Sequence, residues 1–187
     1  MRVIAGSAKS LPIKSPKGLR TRPTQDQMKE TLFNLLKDEI QGAVFVDLFC
    51  GSGQIGIEAL SRGAKQAFFV DQDISAIQCT RENLIFTKLI DRAIIKKQDF
   101  EAGLRSLTDQ TIDILFMDPP YGKALENKVF SALHKLNAVD EHTLIIVETA
   151  IDTPAEELEQ LGYILLREKR YKSNKHMFFQ LNGVSSI

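Results

Sequence analysis

The sequence predicts an α/β protein with a doubly wound, mostly parallel sheet of seven strands that ends in an antiparallel hairpin. Short apolar runs alternate with segments of helical periodicity between residues 44 and 148, which is the pattern of repeated β-α units. The last two predicted strands have no helix between them, so they pair most simply as a hairpin. A length of 187 residues suits one domain, residues 1–187, in which residues 1–24 form a basic N-terminal hairpin and loop extension.

The N-terminal part is predicted to contain a small β-hairpin, a loop and a helix. The two short strands of the hairpin are expected at residues 3–6 and 11–14. The proline- and glycine-containing stretch 15–23 forms an exposed basic loop. Thr24 and Gln27 have the spacing of a capping box, and apolar residues then recur at helical spacing. We therefore expect one amphipathic helix over roughly residues 25 to 40.

Five further apolar runs are predicted to form parallel strands. Each is short, rich in β-branched or aromatic residues and bounded by polar residues or glycine, which is typical of strands buried on both faces. They cover residues 44–47, 66–71, 92–99, 112–118 and 143–148. Helices follow the first, second and fourth of them, and a later helix is expected to start at Thr153, with Pro154 in its first turn. The closing hairpin is expected from about residues 163–170 and 176–181.

A glycine-rich turn follows the first parallel strand and opens a helix. Gly51, Gly53 and Gly56 have the spacing of the G-x-G-x-x-G pattern, and Asp71 ends the next strand twenty residues after Gly51. Glycines allow close approach of the backbone to a ligand, and the helix N-terminus presents free amides. A carboxylate at Asp71 can bind the ribose of any adenosine-containing ligand. The pattern therefore leaves nicotinamide, flavin and S-adenosylmethionine open.

A second motif, Asp118-Pro119-Pro120-Tyr121, ends the fourth parallel strand. Ligands and catalytic groups gather at the carboxyl ends of strands in open α/β sheets. The prolines fix the backbone, so that the Asp118 carboxylate and a backbone carbonyl can accept both protons of an exocyclic amine. Tyr121 provides a flat face on which an extruded base can stack. The motif indicates methyl transfer to a nucleobase amine.

The net charge of zero conceals basic ends and an acidic body. Residues 1–25 carry six basic residues and no acid, residues 167–187 have a net charge of +4, and the segment between them has −10. Cationic ends favour a polyanionic partner, because phosphate contacts dominate nucleic-acid affinity. The candidate nucleic-acid contacts are Arg2, Lys17, Arg20, Arg22, Lys172 and Lys175.

Composition excludes several other classes of protein. The chain is 43% hydrophobic and 26% charged, and no apolar run has the length needed to cross a bilayer. The N-terminus lacks the apolar region of a signal peptide, so we expect a cytoplasmic protein without a membrane partner. Cys50 and Cys79 form no metal-binding pattern, and no metal is expected. His134, His142 and His176 lie outside the motifs, which favours surface or packing roles.

The order of these motifs resembles that of class I S-adenosylmethionine-dependent amino-methyltransferases: V-D-L-F-C-G-S-G, then Asp71, Asp99 and D-P-P-Y. The start M-R-V-I-A-G, the loop K-S-P-K-G-L-R-T-R-P-T and the stretch E-A-L-S-R-G-A further resemble the bacterial 16S rRNA guanine-N2 methyltransferase family that modifies guanine 966. The resemblance implies a Rossmann-like class I methyltransferase fold with S-adenosylmethionine as cofactor. It also implies a guanine in 16S rRNA as substrate, within the small ribosomal subunit or an assembly intermediate.

The resemblance further implies which residues bind the cofactor and the base. The cofactor-binding set comprises Asp47, Phe49, Gly51, Gly53, Asp71, Gln72, Asp99 and Phe100. Within this set, Asp47 and the two glycines are assigned to the methionine end, Asp71 to the ribose, and Asp99 with Phe100 to the adenine. The catalytic set comprises Asp118, Pro119 and Tyr121. On sequence alone, a helix N-cap is an alternative role for Asp99.

Two other functions share part of the pattern. A DNA adenine or cytosine amino-methyltransferase has the same D-P-P-Y chemistry, although 187 residues leave little room for a target-recognition domain and favour a substrate recognised by shape. A nicotinamide-dependent oxidoreductase shares the glycine pattern but gives D-P-P-Y no role. The sequence leaves open whether Asp118 also accepts the proton of the amine.

Overall fold

One sheet of seven strands forms the centre of the computed structural model, which describes residues 1–16, 23–107, 111–120 and 125–183. The strands are β1 Val44–Leu48, β2 Gln66–Asp71, β3 Ala93–Lys97, β4 Ile114–Met117, β5 Leu144–Ala150, β6 Tyr163–Arg170 and β7 Asn174–Leu181. The helices are α1 Pro23–Leu35, α2 Gln54–Ser61, α3 Ile74–Phe86, α4 Phe100–Arg105, α5 Leu125–Leu133 and α6 Glu156–Glu159. The sheet is parallel except for β7, which pairs antiparallel with both β5 and β6, so the predicted fold class is confirmed.

The strand order β3-β2-β1-β4-β5-β7-β6 reverses beside β1. From β1 the chain moves outward to β2 and β3, and then it crosses back to pair on the other side of β1 as β4. Parallel sheets open a crevice at such a reversal, at the carboxyl ends of the two central strands. The glycine-rich turn follows β1 and Asp118 follows β4, so both predicted motifs lie at this crevice.

Both faces of the sheet are covered. On one face, α1, α2, α3 and the N-terminal segment pack against side chains that include Phe45, Phe69 and Phe116; we call this the α1–α3 face. On the other face, α4, α5 and α6 pack against the alternate side chains of the same strands, such as Leu48 and Met117; we call this the α4–α6 face. Among the described helices, none has the length and apolar character needed to cross a bilayer.

The N-terminal segment, residues 1–16, is held mainly by α2. A single antiparallel bridge joins Arg2 to Pro12, so the predicted hairpin is reduced to this bridge and the turn it encloses. The amide of Ile4 donates to the fully buried carboxylate of Glu58 at 2.8 Å. Because amides of the segment bond to a side chain of α2, they are not available for a longer β ladder.

The boundaries of α1 differ from the prediction at both ends. The helix begins at Pro23, so Thr24 lies inside its first turn and not at the N-cap. A proline at the first helical position loses no intrahelical hydrogen bond. The helix ends at Leu35 and not near residue 40, although turns continue the chain and still bury Leu36.

The predicted helix start at Thr153 is also wrong. The amide of Thr153 donates to the carbonyl of Ala150 at 3.2 Å, which closes a turn directly after β5. The helix that follows, α6, has only four residues and begins after Ala155, which provides no side-chain cap. The threonine therefore stabilises a strand-to-turn junction and not a helix N-terminus.

Candidate functional site

The turn after β1 holds a residue in an unfavourable backbone conformation. Phe49 has a φ of 69°, in the left-handed region that residues other than glycine rarely occupy. The amides of Phe49 and Cys50 both donate to the carbonyl of Val70, at 2.9 and 3.0 Å. These bonds fasten the turn to β2 and place Phe49 in the wall of a cavity. Backbone strain of this kind is concentrated at functional sites.

Two glycines of the predicted pattern are required by close packing. Gly53 has a φ of 74°, and a Cβ atom there would lie 2.8 Å from the side chain of Thr80. A Cβ atom on Gly56 would come within 2.4 Å of the ring of Phe69 on β2. The amide of Gly56 donates to Asp47 Oδ2 at 2.9 Å. The glycines thus let α2 start close to the central strands, with its N-terminus at the crevice.

Asp71 ends β2 and faces the glycine-rich turn. Its two carboxylate oxygens accept hydrogen bonds from the amides of Gly51 and Asp73, each at 2.9 Å. Each oxygen retains a second lone pair, and the half-buried side chain lines the cavity. Asp71 can therefore accept the hydroxyl protons of a ribose while it holds the turn in place.

The cavity has a volume of about 180 Å³ and lies along the carboxyl ends of β1, β2 and β3. Five of the predicted cofactor residues line it: Phe49, Asp71, Gln72, Asp99 and Phe100. The rings of Phe49 and Phe100 have centroids 6.1 Å apart and are tilted by 38°. The other three predicted cofactor residues, Asp47, Gly51 and Gly53, belong to the end of β1 and the turn itself. The structure therefore brings the predicted set together.

Two neighbouring residues at the end of β3 complete the cavity wall. Asp99 Oδ1 accepts a hydrogen bond from the amide of Ala102 at 2.8 Å, so Asp99 is the N-cap of α4. Asp99 also lines the cavity. Gln98 was not predicted to belong to the site. Its Oε1 is buried and has no hydrogen-bond partner among the described residues, which suits an acceptor for an amino group. Its place directly before Asp99 is the one sequence signal that could have identified it.

Four carboxylates form a row on the α1–α3 face, which we call the acidic row. They are Asp71 on β2, Asp47 on β1, Asp118 after β4 and Glu148 on β5. Side chains alternate along a strand, so each of them points to the same face as the buried residue two positions earlier. The parallel register puts Asp118 level with Glu148 and puts Asp47 two positions before the level of Asp71 and Asp118, so the four side chains form one group at this end of the sheet.

Two members of the acidic row, Asp47 and Asp118, have raised pKa values. Burial raises the pKa of Asp47 to about 7, with a smaller contribution from the Asp71 charge and opposition from the Gly56 amide. The pKa of Asp118 rises to about 8 through poor solvation first, and then through the charges of Glu148 and Asp47. Asp118 is exposed, yet the protein atoms around its carboxyl group lower its solvation. The row therefore favours a cationic ligand, which would relieve this repulsion.

Glu148 is held by a hydrogen-bond network that was not predicted. His176 Nε2 lies 3.1 Å from one of its carboxylate oxygens, and the side-chain amide of Asn174 donates to the other. The hydroxyl of Tyr171 lies 3.1 Å from His176 Nδ1. His176 is buried as expected of a packing residue, with its ring edge-on to Phe116, yet it also belongs to the site. No sequence motif indicates this, because it depends on β7 inserting between β5 and β6.

The predicted nucleic-acid contacts divide into three groups. Arg2 and Lys172 are exposed, and Arg2 is only loosely paired with Asp26 at 3.8 Å. Lys175 was predicted to contact nucleic acid, but the structure contradicts this: its side chain is 4% exposed and its Nζ donates to Glu168 at 2.6 Å. Strand alternation turns Lys175 toward the α4–α6 face, away from solvent. The remaining predicted residues, Lys17, Arg20 and Arg22, and the catalytic candidate Tyr121 lie outside the described residues.

Comparison with known proteins places this geometry in a family. The model of the family described as Conserved hypothetical protein 95 matches residues 1–180. Ribosomal RNA small subunit methyltransferase D of Haemophilus influenzae is 35% identical over 173 residues, which cover 90% of this chain and 88% of that protein. The Escherichia coli protein of the same name is 32% identical over 154 residues, which cover 81% of this chain and 76% of that protein.

Solved structures show the same architecture. The structure of yhhF from Escherichia coli, described as a candidate methyltransferase, has a TM-score of 0.81 and 30% sequence identity to this chain. The similarity covers 97% of each chain. The whole described fold, including the N-terminal segment and the closing hairpin, is therefore shared and not just the glycine-rich turn.

S-adenosylmethionine is the cofactor of this class of methyltransferases, and the described residues fit it. Asp47 at the base of the glycine-rich turn complements the positive charge of its methionine end, Asp71 has free lone pairs for its ribose, and the Gln98 acceptor beside Phe100 suits its adenine. Among the described residues, no three His, Cys, Asp or Glu side chains are arranged to hold a metal ion. From the family match, the relatives and the shared fold, the chain belongs to the Conserved hypothetical protein 95 family and is a class I methyltransferase.

Proposed function

We propose that the protein methylates the exocyclic N2 amine of a guanine in 16S rRNA of the small ribosomal subunit. One observation carries the proposal. Asp118 and Pro119 follow the central strand β4 and lead to Pro120, which lines the cavity, so a nucleobase amine held there can meet a bound methyl donor. The relatives named as small-subunit rRNA methyltransferases support RNA as the substrate class and do not favour a DNA amino-methyltransferase or a nicotinamide-dependent enzyme.

The cofactor-binding roles follow from the contacts in the crevice. Asp47 and the glycine-rich turn would hold the methionine end, since this end carries a positive charge and Asp47 lies at the base of the turn. Asp71 and Gln72 would bind the ribose, and Asp99 with Phe100 would border the adenine. When bound, the cofactor supplies a methyl group on a positively charged sulfur, so the protein has no need to activate the electrophile.

The chemistry left to the protein is the placement of the amine. The Asp118 carboxylate and the Pro119 carbonyl can each accept a hydrogen bond from one N–H of the amine. These two bonds would direct the lone pair of the amine nitrogen toward the methyl carbon. With the cofactor bound, the amine nitrogen would take the methyl group, the bonding pair would stay on the sulfur, and the surplus amine proton would pass to Asp118 or solvent. Alignment of this kind can supply about 7–11 kcal/mol of the barrier reduction. Tyr121 is proposed to stack on the base.

The RNA would approach across the edge of the sheet that contains the crevice. The turn between β6 and β7 lies at this edge, because β6 runs parallel to β5 and ends where β5 ends. Lys172 in this turn and Arg2 in the N-terminal segment are exposed and therefore available to phosphates. Lys17, Arg20 and Arg22 remain candidates from the sequence. The substrate would be either naked 16S rRNA or an assembled or partly assembled small subunit, and the activity on each is compared in the test below.

The test is the product of the reaction. Small subunits and naked 16S rRNA from bacteria that lack this enzyme are incubated with the protein and isotope-labelled S-adenosylmethionine, and the nucleosides are separated by mass spectrometry. We expect labelled N2-methylguanosine at one position, and none with Asp118→Ala. Label in N6-methyladenosine or N4-methylcytosine, or no label in either RNA sample, would contradict the proposal. Calorimetry with S-adenosylhomocysteine and NAD serves as the independent check of the cofactor class.

A further inference from the structure

Glu148 stands beside Asp118 in the acidic row. The parallel register pairs Met117 of β4 with Val147 of β5, so the next residues, Asp118 and Glu148, are side by side. Neighbouring strands are about 4.8 Å apart, which is the separation at which two side chains can contact adjacent atoms of one planar ligand. The Glu148 side chain is 17% exposed, so it still reaches the crevice. No role in the chemistry proposed above uses it.

The network behind Glu148 fixes its orientation. Burial and the Glu148 charge raise the pKa of Tyr171 to about 12, so its hydroxyl stays protonated and can donate to His176 Nδ1. His176 Nε2 lies 3.1 Å from a Glu148 oxygen, and a carboxylate has no proton to offer, so the ring N–H at Nε2 donates to Glu148. Asn174 donates to the other carboxylate oxygen. Every partner is thus a donor, and Glu148 remains a pure acceptor with one free lone pair on each oxygen.

The bases differ in the atom that adjoins the exocyclic amine. In guanine, the N2 amine is next to N1–H, so two donors point the same way. In adenine the amine is next to N1, and in cytosine it is next to N3, and both of these ring nitrogens present a lone pair. Two adjacent carboxylates, Asp118 for the amine and Glu148 for the ring nitrogen, match two adjacent donors. With adenine or cytosine in the site, the Glu148 carboxylate would face the lone pair of a ring nitrogen, and two facing acceptors are costly in a poorly solvated site.

We propose that Glu148 accepts the N1–H of the target guanine and is the residue that selects guanine over adenine and cytosine. The proposal rests on the proposed function and deepens it, because it names the base from contacts in the crevice. His176, Asn174 and Tyr171 act as positioning residues, since they reach the base only through Glu148. The competing explanation is that Glu148 merely joins β5 to β7.

The test uses 2-aminopurine, which keeps the N2 amine but has a lone pair in place of N1–H. Small subunits are reconstituted with ligated 16S rRNA that carries guanine or 2-aminopurine at the methylated position, and kcat/KM is measured for each. We expect the wild-type protein to prefer guanine by about 10- to 100-fold, which is the scale of discrimination that paired hydrogen bonds to a base edge provide. Glu148→Gln offers an amide N–H to the purine lone pair, so the preference should fall at least about tenfold.

The comparison of two enzymes on the same two substrates isolates Glu148. Loss of the guanine O6 in 2-aminopurine affects both enzymes alike and cancels from the ratio. Glu157→Gln is the matched control, because Glu157 is an exposed carboxylate on α6 that accepts from Asn127; it should leave the preference unchanged. S-adenosylhomocysteine affinity should be the same for all three proteins.

An unchanged preference in Glu148→Gln overturns the proposal, whether the activity on both substrates falls equally or stays high. Equal loss would identify Glu148 as a structural residue only. Glu148→Asp provides a second measurement, because it keeps an acceptor and should retain the preference for guanine even at reduced activity. Failure of the proposed function is visible separately, since the wild-type protein would then form no N2-methylguanosine on unmodified subunits.

Discussion

Asn83 joins the N-terminal segment to the glycine-rich turn, and its removal should disturb both. Its side-chain amide donates to the carbonyl of Ser52 at 2.9 Å and to the carbonyl of Lys14 at 3.0 Å. Its side-chain oxygen accepts from the amide of Lys14 at 2.9 Å. The residue is 2% exposed; its bond to Ser52 is buried, and its two bonds to Lys14 are partly buried. One side chain on α3 thus ties the segment that precedes the basic loop to the turn that holds the cofactor.

The perturbation is Asn83→Ala, which leaves three backbone groups without this partner. At about 0.5–1.5 kcal/mol for each hydrogen bond, the free energy of unfolding should fall by roughly 2–4 kcal/mol. This is a large share of the 5–15 kcal/mol typical of a domain. With a urea dependence of about 2–3 kcal/mol per molar for a chain of this size, the midpoint should shift by about 1 M.

The assay is urea unfolding followed by circular dichroism, together with calorimetry of S-adenosylhomocysteine binding. Affinity should also weaken, because the Ser52 carbonyl loses the bond that orients the turn. Glu82→Ala is the matched control. It breaks an ion pair between Lys14 and the same helix at 2.8 Å, in which both side chains are more than half exposed, so it should change neither quantity measurably.

Equal urea midpoints for Asn83→Ala and Glu82→Ala would refute the reasoning, because the buried bonds would then contribute no more than an exposed ion pair. A lowered midpoint with unchanged cofactor affinity would refute the link to the turn alone. In that case Asn83 would hold the N-terminal segment without affecting the cofactor.

Four further predictions concern the proposed roles of single residues. Asp71→Ala should weaken S-adenosylmethionine binding by about 1.5–3 kcal/mol, the scale of charged hydrogen bonds, and unchanged affinity by calorimetry would remove Asp71 from the site. Asp118→Ala should nearly abolish turnover yet keep cofactor affinity within about tenfold, whereas near-normal turnover would exclude its role in holding the amine. The pKa of Asp118 is raised from 3.8 to about 8, so the free energy of unfolding of the cofactor-free protein should decrease as pH rises between these values. Asp118→Asn should flatten that decrease in urea titrations at several pH values, and an equally steep decrease would assign the proton elsewhere. Arg20→Ala combined with Arg22→Ala should weaken RNA binding and lower the log–log salt slope by roughly 0.7–0.9 per lost contact, and parallel slopes would mean that the RNA footprint lies elsewhere.

The fold and the cofactor side of the site could be predicted because their signals are local. An apolar run such as residues 66–71 is a strand in any context that buries both its faces, and the predicted bounds match β2. Gly53 and Gly56 recur at a spacing that a tight turn and a close helix require, and the structure shows the contacts that exclude a Cβ atom. Asp71 lies at the cavity because carboxyl ends of parallel strands share one edge.

Errors arose where local patterns competed with tertiary contacts. Thr153 has the sequence features of a helix N-cap, but the chain turns there to leave β5. Lys175 contributes to a basic cluster in the sequence, yet strand alternation buries it against Glu168. The predicted N-terminal hairpin loses most of its ladder because Glu58 of α2 takes up amides of the segment. Ile4 and Glu58 are 54 positions apart, and local periodicity contains no information about so distant a partner.

By itself, the sequence determined the α/β class, the seven strands, the glycine-rich turn and the two carboxylates Asp71 and Asp118, because short-range spacing and strand ends specify them. Only the tertiary structure decided that Glu148 stands next to Asp118 and that His176 holds it. The physical reason is strand pairing: β7 inserts between β5 and β6, and this antiparallel register brings together residues 28 positions apart that no motif connects.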